Sequence, residues 1–160
     1  MNNQKYKLIL IGSLVFFVFF VASYFITSFF ISSKVPSKDT TPQTEKIIEY
    51  NRNLPITQQI FNNCSIEANE SAKMLCVKKW AVENYNYVPR EEIYSIDDMF
   101  EKGADCKSYS VYYATLAKMM GYSYAFLSFP DHVVAFVYYK NGYCILDQDF
   151  GTCIRYGDEE

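Results

Sequence analysis

The stretch Gly103 to Gln148 reads GADCKSYSVYYATLAKMMGYSYAFLSFPDHVVAFVYYKNGYCILDQ, and it switches from one hydrophobic period to another partway along. Tyr109, Tyr112, Tyr113, Leu116, Met119 and Met120 recur at i, i+3, i+4 and i+7, the period of a helix with a buried face. Asp105 stands where its carboxylate can cap the first N–H groups of that helix, and Gly121 supplies the stop. Beyond Gly121 the period shortens into three runs of β-branched and aromatic residues, YSYAFLSF, HVVAFVYY and YCILD, each of strand length. Pro130-Asp131 separates the first two runs. Asn141-Gly142 joins the second and third as a two-residue hairpin turn, because both residues tolerate positive φ. A buried central helix followed by an antiparallel sheet predicts an α+β domain.

Working outward, Pro89 interrupts the approach to this segment, and Ser95 with Asp98 forms an S-x-x-D pattern. That pattern predicts a short capped helix through Phe100 to Lys102, ended by Gly103. Further upstream, TEKIIEYNRNL from Thr44 and the run Ile66 to Asn84 carry helical signals, the latter through Ala72, Leu75, Cys76 and Trp80. Residues 34–43, KVPSKDTTPQ, hold two prolines and several hydroxyl residues and read as a linker. From Leu8 to Ser33 the chain carries no charge, and a helix of that length rises roughly 39 Å, enough to cross a bilayer with some tilt. A cleaved signal peptide would have a shorter apolar stretch ending at a small-x-small site, and no such site stands out. The expected organisation is therefore a short segment 1–7, a single transmembrane helix 8–33, the linker 34–43 and one catalytic-sized domain 44–160. Lys5 and Lys7 before the span are balanced by Lys34 and Lys38 after it, so flanking charge decides the orientation only weakly.

A chain of 160 residues with net charge -3 lacks the clustered basic face of a nucleic-acid binder. One histidine and no C-x-x-C pair give no zinc pattern, and no glycine-rich loop suggests a nucleotide, so no cofactor is expected. The tyrosine stripes read as core and not as a stacking platform. Five cysteines leave one unpaired in an oxidising compartment. Cys64 with Cys76 and Cys144 with Cys153 are close enough for local disulfides, which leaves Cys106 free and puts the domain on the extracytoplasmic side of the membrane. Five reduced thiols in the cytosol is the competing reading.

Cys106 follows the N-cap directly, so its sulfur sits in the first helical turn, where unpaired N–H groups and the helix dipole favour a thiolate. The only histidine, His132, opens the second strand just after the Pro-Asp turn. With Asn141-Gly142 as the turn, Tyr139 opposes Cys144, and His132, Asp147 and Asp149 share one side of the sheet. A carboxylate there can orient the imidazole. In that flat register Asp147 opposes Phe136, about 13 Å along the strand from His132, and Asp149 lies nearer.

The order and spacing of these residues resemble the transglutaminase-like core, in which a Gly-Asp-Cys turn opens a helix and a His-initiated strand leads through a glycine to a strand ending in Leu-Asp. Asp105-Cys106, His132, Gly142 and Asp147 match that pattern, and the likeness spans roughly Trp80 to Gln148. Ala104, Val133-Val134 and Gln148 depart from it without removing a reacting atom. The resemblance implies a papain-like, transglutaminase-like fold and a Cys106–His132–Asp147 triad. It also implies attack on a peptide or glutamine carboxamide through a thioester, resolved by water or by an amine. The Cys106 N–H would bind part of the oxyanion; the second donor is not placed by the sequence, Tyr85 and Tyr87 being candidates only. The rival expectation is a catalytically silent module that keeps the fold to hold a peptide or protein at the membrane.

Overall fold

The computed structural model describes residues 42–156. The expected span 8–33 and nearly all of the linker lie outside the described residues, among which no helix is long and apolar enough to cross a membrane. The fold is α+β. Five helices, α1 (Pro42–Arg52), α2 (Pro55–Ser65), α3 (Glu70–Asn84), α4 (Ile96–Lys102) and α5 (Cys106–Met119), precede four strands, β1 (Ser123–Phe129), β2 (His132–Tyr139), β3 (Gly142–Leu146) and β4 (Gly151–Arg155). The strands form one antiparallel sheet in sequential order.

Helix α5 is the centre of the fold. Eleven of its 14 residues are buried, so it has no solvent face of the kind a surface helix keeps and is enclosed by neighbours all round. Tyr112 shows how polar atoms survive this burial. Its ring packs against Trp80, Tyr85 and Tyr113, while its hydroxyl donates to the Val77 carbonyl at 3.0 Å. Helix α1 is pinned on α5 and β1 through Glu45, which accepts from Tyr124 Oη at 2.6 Å and Lys118 Nζ at 3.0 Å. The Tyr124 hydroxyl, more than the lysine, holds the Glu45 carboxyl below its ordinary range.

Several local expectations are corrected. Helix α1 begins at Pro42, two residues inside the expected linker, because proline lacks only an N–H that the first turn leaves unused anyway. Helix α2 was hidden by its polar content: only Thr57, Ile60 and Cys64 are buried, a narrow stripe between glutamines and asparagines. Helix α3 starts at Glu70 and not Ile66, since Asn69 Oδ1 caps it by accepting from the Ala72 N–H at 2.9 Å. Ser95 does not cap α4. Its hydroxyl turns to the Asp97 and Asp98 carboxylates, and the buried Asn51 of α1 accepts from the Ile96 N–H at 3.0 Å instead.

The sheet holds the largest correction. Tyr139 pairs with Gly142, so the turn residues are Lys140-Asn141 and Val137, not Tyr139, opposes Cys144. The expected third strand ends at Leu146, and a fourth, β4, covers its free edge. Gly142 does not take positive φ; among the described residues only Gly103 and Gly121 do. Glycine is required there because a Cβ at Gly142 would fall on the Ile154 carbonyl oxygen of β4. Both expected disulfides are formed, Cys64–Cys76 between α2 and α3 and Cys144–Cys153 between β3 and β4, and Cys106 is the free thiol.

Replacing Gly142 by alanine should therefore force β4 off β3 and destabilise the domain by about 1–3 kcal/mol, whereas Asn141→Ala in the exposed turn should change stability by no more than about 0.5 kcal/mol. Urea midpoints of the two variants check this, and equal midpoints would contradict it.

Candidate active site

The turn that presents Cys106 is built before the helix begins. Gly103 takes φ of 74° to end α4, and a side chain there would collide with Val88 and the Asn86 carbonyl. Ala104 is then stitched to the extended segment Asn86–Val88: its N–H donates to Asn86 O and its carbonyl accepts from Val88 N–H, both at 2.9 Å. The next residue, Asp105, is buried, and its Oδ1 accepts from the Ser108 N–H and the Ser108 hydroxyl at 2.8 Å each. Its Oδ2 pairs with Lys107 Nζ, which also donates to the Arg90 carbonyl at 2.8 Å. A helix N-terminus and an ammonium thus compensate one buried carboxylate. The hydrogen bond to Asp105 in turn raises the Lys107 ammonium above its ordinary pKa. Between them lies Cys106, with helix geometry leaving its N–H without an intrahelical acceptor.

The two-residue shift of the hairpin decides the second half of the site. Because side chains alternate with period two, shifting register by two leaves every residue on its expected face. What changes is distance: Asp147 moves about 6.6 Å along β2 toward His132 relative to the flat picture. The result is a hydrogen bond between His132 Nε2 and Asp147 Oδ2 of 2.7 Å. Asp147 is itself held from four directions. Its Oδ1 accepts from the Gln148 N–H at 2.7 Å, its N–H donates to Phe150 O at 2.7 Å, and its carbonyl accepts from the Tyr113 hydroxyl at 3.1 Å. Asp149, the alternative partner, is exposed.

Cys106 and His132 line the same cleft, of about 380 Å³, whose far wall is the β1–β2 turn with Phe129, Pro130 and Asp131. The sulfur-bearing residue is only 8% exposed, so that cleft is its route to solvent. With Nε2–H donated to Asp147, the imidazole keeps Nδ1 as the nitrogen with a free lone pair for a thiol. Tyr87 is exposed, and its backbone bridges to Ala104, two residues before Cys106. Its phenol is raised above the usual tyrosine range, chiefly by partial burial. Tyr85 does not stand there: it is buried in the aromatic core and its hydroxyl points at the Ile96 carbonyl.

Of the three expected site residues, His132 is bonded to Asp147, and Cys106 lines the same cleft as His132. Lys107 and the Tyr113 hydroxyl were missed as parts of the site. Lys107 is adjacent to Cys106 in the chain, a local signal, whereas the partner of Tyr113 lies 34 residues away and leaves no local trace. Comparison with protein-family models, curated proteins and solved structures finds no match to the chain.

If the His132–Asp147 bond holds the ring for Cys106, Asp147→Asn should slow iodoacetamide labelling of Cys106 at neutral pH by about tenfold or more, and Asp149→Asn by less than about twofold. Intact-mass kinetics of the two variants measure it, and the reverse ranking would reassign the carboxylate.

Proposed function

We propose that this chain is a membrane-anchored cysteine enzyme with a transglutaminase-like core that cleaves or transfers an acyl group at an amide of a protein or peptide. The observation that carries the reading is the joint placement of a free thiol at a helix start, the only imidazole of the chain across one cleft from it, and a carboxylate 2.7 Å from that imidazole. Two disulfides beside the one free cysteine support an oxidising, extracytoplasmic location for the domain. The uncharged run 8–33 supports the anchor.

In this reaction His132 Nδ1 takes the thiol proton as Cys106 Sγ attacks the amide carbonyl carbon, forming a C–S bond and an oxyanion. The Cys106 N–H and the Tyr87 hydroxyl donate to that oxyanion. His132 then delivers its proton to the amide nitrogen, the C–N bond breaks, and the amine leaves behind a thioester. Water or a second amine, deprotonated by His132, attacks the thioester carbonyl and releases the thiol. Asp147 stays ionised throughout and stabilises the imidazolium. Hydrolysis is favoured over transamidation, since a small domain has little structure with which to exclude water from its cleft.

Turnover of a casein or glutamine-peptide substrate, read as ammonia or amine release, should fall by about 10³-fold or more in Cys106→Ala and His132→Ala. Tyr87→Phe should lower kcat by about 10²-fold with little change in KM, the mark of a donor used only by the oxyanion. Wild-type turnover that survives Cys106→Ala would refute the reading.

A further inference from the structure

Beside the Cys106 cleft lies a second cavity of about 140 Å³, and the two share Lys107, Ser128 and Val133 as lining residues. They are consecutive chambers of one groove. The second chamber is walled by Ile93 from the loop before α4, Val111 from α5, Phe126 from β1 and Val133 from β2. Four polar residues complete its lining: the Ser110 hydroxyl donates to the Val133 carbonyl at 3.2 Å, the Lys107 ammonium is held by Asp105 and the Arg90 carbonyl, Thr44 is engaged as well, and Ser128 is exposed. No carboxylate lines it among the described residues. A charged group entering would lose its hydration and find no free counter-charge, while an aliphatic group would exchange water for four apolar walls. A chamber of about 140 Å³ has room for a short aliphatic chain laid against its apolar side.

We propose that this chamber is the specificity pocket of the enzyme, receiving an uncharged, short aliphatic side chain that flanks the amide attacked by Cys106. The inference rests on Cys106 being the nucleophile. It narrows the substrate class to peptides with a residue of the valine or leucine type beside the scissile amide and disfavours acidic or basic residues there. Each buried methylene favours the bound state by about fourfold, so three or four of them give a preference large enough to read in rates.

The test separates the pocket from the nucleophile. Full-length protein is labelled with iodoacetamide and with its N-butyl, N-(2-carboxyethyl) and N-(2-trimethylammonioethyl) derivatives, each rate divided by that of the same reagent with glutathione. The butyl reagent should label Cys106 at least about tenfold faster than iodoacetamide, and neither charged reagent should gain. Ile93→Trp, which fills the chamber from a loop, should bring the butyl-to-parent ratio to about one, and Val111→Ala, which deepens it, should move the optimum to a hexyl tail. Equal ratios for all tails, or preference for a charged tail, with Cys106 still labelled by iodoacetamide, would overturn the pocket and leave the nucleophile standing. Failure of iodoacetamide itself to label Cys106 would overturn both.

Discussion

A helix buried on every side must find partners for the polar atoms it carries inside, and in this domain those partners are the backbone of the site. The three large tyrosines of α5 put their rings in the core and their hydroxyls on carbonyls of other segments: Tyr109 on Tyr85, Tyr112 on Val77 and Tyr113 on Asp147. One of these bonds ends at the start of the extended segment that is stitched to Ala104 beside Cys106, and another ends on the residue bonded to the imidazole. Removing a buried hydroxyl partner costs its full desolvation, roughly 1–3 kcal/mol, so the core enforces the positions that the chemistry needs. The same helix starts at Asp105-Cys106, which makes the packing of the domain and the placement of the sulfur one constraint.

The carboxylate beside the cysteine extends this logic. Asp105 is buried and ionised groups are costly to bury, but its oxygens meet a helix N-terminus, a hydroxyl and a lysine. Lys107 is consequently fixed to the protein and does not serve as a free cation for substrate. That is why the neighbouring chamber, although it carries a lysine at its edge, presents no free charge to whatever enters.

Much of the site was legible in the chain because its signals are local. An Asp before an apolar helical stripe marks the cap, the residue after it the proposed nucleophile, and a lone histidine after Pro-Asp the proposed base. Alternation with period two places His132 and Asp147 on one face even though the expected turn lies one residue too late, since that error shifts the pairing by two residues and a shift of two conserves the face. The distance between them was not legible. It depends on β4, whose approach demands a glycine at 142 for space and not for positive φ, so the Asn-Gly signal was read with the wrong cause. Strand β4 itself is five residues long with a polar, glycine-containing pattern that carries no strand period of its own, and α2 buries too few side chains to show a helical one. Asn51 as the cap of α4 is likewise a contact across 45 residues that no local pattern reports.

The proposed chemistry requires a covalent bond between substrate and one sulfur. Full-length protein quenched in acid during turnover of a glutamine peptide should show an added acyl mass, carried by the peptide containing Cys106 and discharged by hydroxylamine. Turnover with no such adduct, or an adduct on any other residue, would contradict it.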